Sequence, residues 1–197
     1  SQMNPKKDAD GFHQVNLRAI LSGKPRIIPA VALAIVALID GAVGTTVGSA
    51  ALHVPPSGAQ DPALQDRKAL LIVNRTEFAA PLEYLLEERG ALVHIILRPK
   101  VITPDIVAQL KTADVLIVAR GHANFVSGDM LKAGAIVIDV GTNRLPDGRV
   151  VGDVDFASTQ NKPGFITPVP GGVGPMTVAM LLKNTLELAK RTHQISS

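Results

Sequence analysis

The chain has 197 residues, of which 46% are hydrophobic, and its 20 basic and 17 acidic residues give a formal net charge of +3. It contains no cysteine, which excludes disulfide and thiolate chemistry, and with only 3% aromatic residues its core must be aliphatic. The charges are dispersed and side chains for base stacking are scarce, so the composition gives no support to nucleic-acid binding. The length favours one domain, with room for part of a second.

The first third of the chain is predicted to hold one buried helix and a linker. Residues 27–39 are apolar apart from Pro29, which predicts a buried helix beginning at that proline. A weakly apolar stretch continues to residue 54, but Asp40 and several glycines argue against a membrane span. Residues 54–66 are rich in proline and glycine, as is typical of a linker, and we predict an inserted linker over 40–66.

From residue 68 onward, short apolar runs alternate with amphipathic runs. The apolar runs predict strands, and the amphipathic runs predict helices over 80–89 and 104–111 and a last helix that opens around Pro175 and has its apolar-periodic stretch at 178–189. The strands are expected at 69–73, 91–97, 115–119, 135–140 and 165–167. Strands that are apolar throughout and alternate with helices are typical of a parallel sheet covered on both faces. The predicted fold class is therefore α/β, a Rossmann-like doubly wound parallel sheet that binds ligands at the carboxyl ends of its strands.

Residues 167–177, T-P-V-P-G-G-V-G-P-M-T, contain three glycines and three prolines. Proline fixes φ and glycine admits conformations that other residues avoid, so a flat ligand could lie close to this backbone. A glycine-rich turn that feeds a helix N-terminus is also suited to anions and cofactors. From composition alone, a tight strand-to-helix turn explains the segment equally well.

This segment and several others, in the same order, resemble the bifunctional methylenetetrahydrofolate dehydrogenase/methenyltetrahydrofolate cyclohydrolase family. The others are N-P-K-K-D-A-D-G-F-H at 4–13, A-D-V-L-I-V-A at 113–119, G-D-M-L-K-A-G-A-I-V-I-D-V-G-T-N at 128–143 and V-V-G-D-V at 150–154. The resemblance is dense over 113–191 and patchy over 26–100. It implies that residues 1–28 are a remnant of the N-terminal catalytic domain and that 29–197 form the C-terminal NAD(P)-binding domain. We therefore expect a fragment or a truncated copy.

The phosphate turn of the family, G-R-S-x-x-V-G-x-P, corresponds to N-R-T-E-F-A-A-P at 74–81, which is one residue shorter and lacks both glycines. The resemblance implies that Asn74, Arg75 and Thr76 bind the cofactor, and asparagine tolerates positive φ well enough to keep the turn. We expect the Ala79 methyl and the Glu77 carboxylate to oppose a pyrophosphate. A helix-capping role explains Glu77 as well.

The cofactor is expected to be NADP, with NAD less favoured. Basic residues after the second strand favour a ribose 2′-phosphate over a 2′-hydroxyl, and Arg98 stands there, with Arg75 in the phosphate turn. Two solvated loop arginines would give the same pattern. By family position, the remaining cofactor-binding residues would be Gly121, Gly141, Thr142 and Thr177.

The folate substrate is expected at Asp10, which matches an aspartate that hydrogen-bonds the pterin ring in the family. A carboxylate can accept two N–H donors from such a ring, although an Asx-turn before Gly11 would also explain the residue. The resemblance adds Gly171, Gly172 and Val173 to the substrate-binding residues. The five histidines show no metal-ligand spacing, so no metal site is predicted.

No catalytic residue is assigned. The catalytic lysine of the family follows a tyrosine by four residues, but the only tyrosine here, Tyr84, is followed by Glu88. The family's P-C-T-P segment corresponds to R-I-I-P at 26–29. We therefore expect this chain alone to lack both activities.

The resemblance implies an NADP-dependent methylenetetrahydrofolate dehydrogenase and methenyltetrahydrofolate cyclohydrolase of folate one-carbon metabolism, an oxidoreductase and hydrolase. The alternative is a non-catalytic dimerising or nucleotide-binding relative of the family. The expected partners are the folate substrate and a second copy in a homodimer, with no nucleic acid and no membrane. The expected location is the cytoplasm, with the mitochondrial matrix as the alternative.

Overall fold

A computed structural model describes residues 3–44, 64–159, 162 and 164–193. The predicted linker lies mostly outside these residues, and the domain division at residue 28 stays a prediction. The elements in chain order are α1 (Gln14–Leu21), α2 (Ala30–Ala42), β1 (Lys68–Val73), α3 (Thr76–Glu87), β2 (Leu92–Leu97), α4 (Pro104–Leu110), β3 (Val115–Ala119), β4 (Ile136–Asp139), β5 (Asn143–Arg144), β6 (Val150–Val151), α5 (Phe156–Thr159), β7 (Phe165–Ile166) and α6 (Val173–His193).

Five of the strands form one parallel sheet in the order β2-β1-β3-β4-β7, and β5 and β6 form a separate antiparallel hairpin. The predicted α/β fold class is confirmed. Val73 at the end of β1 pairs with Leu97 of β2 and with Ala119 of β3, so the carboxyl ends of these three strands are level. In open sheets of this kind the ligand crevice lies where the strand order reverses, which here is between β1 and β3.

The strands are buried on both faces, as their continuous apolar sequences predict. Leu71 and Ile117 belong to the core cluster that includes α2 and α3, whereas Leu70, Ile72 and Leu116 belong to the cluster on the other face. This alternation follows from the two-residue period of a strand. Both faces of the sheet are therefore covered by apolar side chains.

The helices differ from the predictions mainly at their starts. Helix α2 begins after Pro29, as predicted. Helix α3 begins at Thr76, four residues before the predicted start at residue 80, and contains Pro81 within it. Helix α6 begins at Val173, within two residues of the predicted start around Pro175. None of the described helices combines the length and hydrophobicity needed to cross a membrane.

Candidate functional site

The loops at the carboxyl ends of β1, β2 and β3 are joined through Asn74. The Asn74 Nδ2 donates to the Arg120 carbonyl at 2.6 Å, and the Arg120 Nη1 donates to the Asn74 Oδ1 at 3.2 Å. The Arg98 Nε donates to the Asn74 carbonyl at 2.7 Å. Asn74 does not have the positive φ that asparagine would tolerate in this turn, whereas Arg98 does, with a φ of 50°. Asn74 therefore holds the turn through its side-chain amide.

The N-terminus of α3 lies directly after Asn74. Its N-cap residue, Arg75, has an extended backbone and gives the helix no side-chain cap. The Arg75 carbonyl accepts the N–H groups of Phe78 (3.2 Å) and Ala79 (3.1 Å). Within the described residues, the N–H groups of Thr76 and Glu77 have no acceptor, as is usual for a first turn. Together with the helix dipole, they make this turn suitable for an anion.

The expectation that the Ala79 methyl would meet a pyrophosphate is wrong. Ala79 is 2% exposed and packs in the core cluster that contains Leu82. Because α3 starts four residues earlier than predicted, residue 79 lies on the sheet-facing side of the first turn. Glu77, in contrast, is exposed, and its carboxylate lies 3.5 Å from the Thr76 hydroxyl, so an acid does stand at the helix start.

Three arginines come from the loops at these strand ends. Arg75 is exposed, and its side chain makes no hydrogen bond or ion pair with the described residues. Arg98 is exposed and bonded to Asn74. Arg120, which is not among the predicted site residues, donates its Nε to the Pro99 carbonyl at 2.8 Å. Its position directly after a buried strand is the signal that could have marked it.

Two buried carboxylates lie behind this cluster. Asp153 is fully buried, and its Oδ2 accepts the N–H groups of Arg120 (2.6 Å) and Gly121 (2.8 Å). Its Oδ1 accepts the His122 N–H and the Asn143 Nδ2, each at 2.8 Å. Four donors therefore converge on one carboxylate, and three of them are consecutive backbone N–H groups. Asp153 belongs to the V-V-G-D-V segment at 150–154, and the sequence pattern alone does not indicate this role.

Asp139, the last residue of β4, supports the loop that carries Asp153. It is 3% exposed, and its Oδ1 accepts the N–H groups of Gly141 (2.9 Å) and Asp153 (3.0 Å). Its Oδ2 accepts the Val154 N–H at 2.8 Å. Burial raises the pKa of Asp139 from an ordinary value of 3.8 to about 6, with a further rise from the charge of Asp153, and the three N–H bonds oppose the shift.

This raised pKa predicts a pH dependence of stability. Between about pH 4 and about pH 6 the folded protein holds a proton on Asp139 that the unfolded chain releases. The stability contributed by this group is present below that range and is lost as the pH rises through about 6. Relative to Asp139→Asn, the wild type should therefore lose up to about 3 kcal/mol of unfolding free energy across it. Denaturant unfolding of both proteins measures this, and a difference that does not change with pH would contradict it.

Three other predicted cofactor residues, Gly141, Thr142 and Thr177, lie in the loop after β4 and near the start of α6. A Cβ on Gly141 would lie 2.3 Å from the Asp153 Oδ1, so only glycine fits there. Thr142 follows it and is exposed. Thr177 lies in the first turns of α6, and its hydroxyl donates to the Val173 carbonyl at 2.8 Å. Their roles in binding stay predictions.

The glycine-rich segment 167–177 connects to the same network through Thr167. The Thr167 Oγ1 accepts the Asp139 N–H at 2.9 Å, which ties the start of the segment to the end of β4. Gly171 has a φ of 113° and is exposed, and a Cβ on Gly172 would lie 2.7 Å from the Pro168 carbonyl. Val173 begins α6 and is buried. The substrate roles of residues 171–173 stay predictions.

Near the N-terminus, Asp8 and Asp10 have different environments. Asp8 is 2% exposed, and its carboxylate accepts the N–H groups of Gly11 (3.1 Å) and His13 (2.7 Å) and the Asn16 Nδ2 (2.8 Å). The side chain that holds this segment is therefore that of Asp8, and Asp10 is left exposed.

Asp10 lines an open pocket of about 480 Å³ together with Phe12 and Arg18. Partial burial raises its pKa, as does the neighbouring charge of Asp8. The backbone of Asp10 is held in place, because its carbonyl accepts the Ala30 N–H at 3.1 Å. Across the described part of the chain, no three His, Asp or Glu side chains are arranged to hold a metal ion.

A doubly wound parallel sheet with an uncapped helix N-terminus at its switch point is the arrangement of a nucleotide-binding α/β domain. The family described as tetrahydrofolate dehydrogenase/cyclohydrolase, NAD(P)-binding domain, matches residues 58–193. The chain belongs to this family.

Relatives over nearly the whole chain agree. The bifunctional protein FolD of Polynucleobacter asymbioticus is 43% identical over 96% of this chain and 60% of its own length, and that of Bacillus licheniformis is 40% identical over 98% and 61%. Among solved structures, the Trypanosoma brucei methylenetetrahydrofolate dehydrogenase-cyclohydrolase complexed with NADP and an inhibitor is 34% identical, with a TM-score of 0.76 over 96% of this chain and 60% of that one. The chain thus spans about 60% of the length of these relatives.

Proposed function

We propose that this chain is the NADP-binding part of a methylenetetrahydrofolate dehydrogenase/methenyltetrahydrofolate cyclohydrolase. The observation that carries the proposal is the uncapped N-terminus of α3 at the β1–β3 switch point, next to Arg75 and Arg98. Support comes from the Trypanosoma brucei relative, which is complexed with NADP.

Separate groups of residues would bind the diphosphate, the 2′-phosphate and the nicotinamide of the dinucleotide. The N–H groups of Thr76 and Glu77 would hold the diphosphate, on a turn fixed by Asn74. The guanidinium groups of Arg75 and Arg98 would bind the 2′-phosphate, since arginine presents paired donors to phosphate. The nicotinamide side would be formed by Gly121, Gly141, Thr142 and Thr177. The Glu77 carboxylate opposes the diphosphate and should moderate the affinity.

On the substrate side, the exposed Asp10 carboxylate would accept N–H groups of the pterin ring, and Gly171, Gly172 and Val173 would line the folate. The bound cofactor would supply the hydride acceptor for oxidation of the one-carbon bridge of methylenetetrahydrofolate. Water would then open the methenyl product to 10-formyltetrahydrofolate with release of a proton. This second step needs a positioned acid or base. We assign none in this chain.

A non-catalytic nucleotide-binding relative is the second candidate. It is favoured by the loss of both glycines from the phosphate turn and by R-I-I-P at residues 26–29 in place of P-C-T-P. We further propose the domain division at residue 28, a homodimer and a cytoplasmic location, with the mitochondrial matrix as the alternative.

Titration calorimetry of the 197-residue chain with NADP and with NAD tests the proposal. NADP should bind more tightly than NAD, because only NADP offers a phosphate to Arg75 and Arg98. Equal affinities, tighter NAD binding, or no binding of either cofactor would contradict it.

An assay of NADPH formation from methylenetetrahydrofolate separates catalysis from binding. The 197 residues contain no Tyr-x-x-x-Lys, so we expect no turnover from this polypeptide alone. Turnover in the ordinary enzyme range, about 1–1000 per second, would refute that expectation and require a base elsewhere in the chain.

A further inference from the structure

The loop that follows β3 is held by a side-chain carboxylate, that of Asp153. Three consecutive N–H groups, those of Arg120, Gly121 and His122, point at the carboxylate of Asp153 at 2.6–2.8 Å. Successive backbone N–H groups of this kind form an anion-binding concavity, and here Asp153 fills it. The phosphates of a nucleotide therefore cannot use these donors.

The two sets of N–H groups at the switch point thus differ. The N–H groups of Thr76 and Glu77 have no acceptor among the described residues, whereas those of the β3 loop are accepted by the Asp153 carboxylate. The carboxylate is fixed in turn, because Asn143 donates to its Oδ1 at 2.8 Å and the Asp153 N–H donates to the buried Asp139 at 3.0 Å. A chain of hydrogen bonds, buried at Asp139 and part-buried at the loop, consequently runs from the end of β4 to the loop at the end of β3.

The loop in question faces the crevice. Gly121 is exposed and has a φ of 67°, and the nearest atom to a Cβ built there is the Asn74 Nδ2 at 3.9 Å. The Arg120 carbonyl accepts that same amide, and the Arg120 guanidinium reaches the Pro99 carbonyl at the end of β2. The conformation of the β3 loop thus determines where the turns after β1 and β2 are held.

We propose that Asp153 is a positioning residue of the nucleotide site, whose buried carboxylate sets the β3 loop and, through it, Asn74. The carboxylate itself touches no nucleotide. The part of the proposal that concerns NADP rests on the proposed function, whereas the part that concerns the loop does not.

Asp153→Asn tests the proposal, because it keeps the size of the side chain but replaces one accepting oxygen by an NH₂ group that faces N–H donors. The amide resonances of residues 120–122 should move upfield as their charge-assisted bonds are lost, and their hydrogen exchange should become faster. NADP affinity should fall about tenfold or more.

Asp114→Asn is the matched control, since that carboxylate accepts the Lys68 N–H at the opposite end of the sheet. It should leave the loop amides and NADP affinity unchanged.

Should Asp153→Asn fail to fold, Asn143→Ala removes the side-chain donor that restrains the carboxylate, together with a bond to the Val151 carbonyl, and should shift the amide resonances of residues 120–122 and speed their hydrogen exchange by a smaller amount. Unchanged amides at 120–122 in a folded variant would overturn the positioning role. Altered amides with unchanged NADP affinity would overturn the link to the nucleotide. If the wild type binds no NADP, the proposed function fails, and the amide measurements still decide the claim about the loop.

Discussion

Replacing Gly152 by alanine should destabilise the fold by about 3 kcal/mol or more. A Cβ at this position would lie 1.9 Å from the Asp139 Oδ2 and 2.6 Å from its Cγ. Asp139 is 3% exposed, and both of its oxygens accept backbone N–H groups, so the carboxylate cannot move aside without breaking buried bonds. The cost thus combines overpacking with the loss of charge-assisted hydrogen bonds.

Denaturant unfolding measures the effect, with Gly174→Ala as the matched control. Outside its own helix backbone and chain neighbours, no atom of the described residues lies within 4 Å of a Cβ built on Gly174, which stands in the first turn of α6, so that change should stay within about 0.5 kcal/mol. A Gly152→Ala protein that unfolds at the same denaturant concentration as the wild type would show that the Asp139 network is not rigid.

Replacing Arg75 by alanine should weaken NADP binding by about tenfold to a hundredfold and leave NAD binding nearly unchanged. A hydrogen-bonded contact to a charged group contributes about 1.5–3 kcal/mol, and only NADP carries the 2′-phosphate. The Arg75 side chain is exposed and bonds to none of the described residues, so its removal should not disturb the turn.

Two further variants separate this effect from simpler ones. Arg98→Ala removes the bond to the Asn74 carbonyl as well as a charge, so it should weaken both cofactors. Arg67→Ala removes a charge just before β1, at the other end of the sheet, and should change neither affinity. If Arg75→Ala weakens NADP and NAD equally, the assignment of Arg75 to the 2′-phosphate is wrong.

The sheet could be predicted from the sequence because its strands are buried on both faces. Residues 69–73 and 115–119 are continuous apolar runs bounded by polar residues, and no other element fits so short a run between helices. Their end positions agree with β1 and β3, which places the crevice correctly. The switch point therefore follows from sequence pattern alone.

The arrangement inside the site could not be predicted. Asp153 and the loop it holds are separated by 31–33 residues, and no periodicity links a carboxylate to backbone N–H groups so far away. The roles of Asp8 and Asp10 depend on which one the fold buries, which two acids two residues apart do not reveal. Ala79 was misplaced because the apolar periodicity predicted a helix beginning at residue 80, whereas α3 begins at Thr76.

We propose that NADP binds at the N-terminus of α3, between β1 and β3. A titration of the ¹⁵N-labelled chain with NADP, followed through backbone amide resonances, tests it most directly. Binding at this N-terminus should give the largest shifts at Thr76, Glu77, Arg98 and Gly121, with none at Lys68, which lies at the amino end of β1. Shifts centred at the amino ends of the strands, or no shifts at saturating NADP, would contradict it.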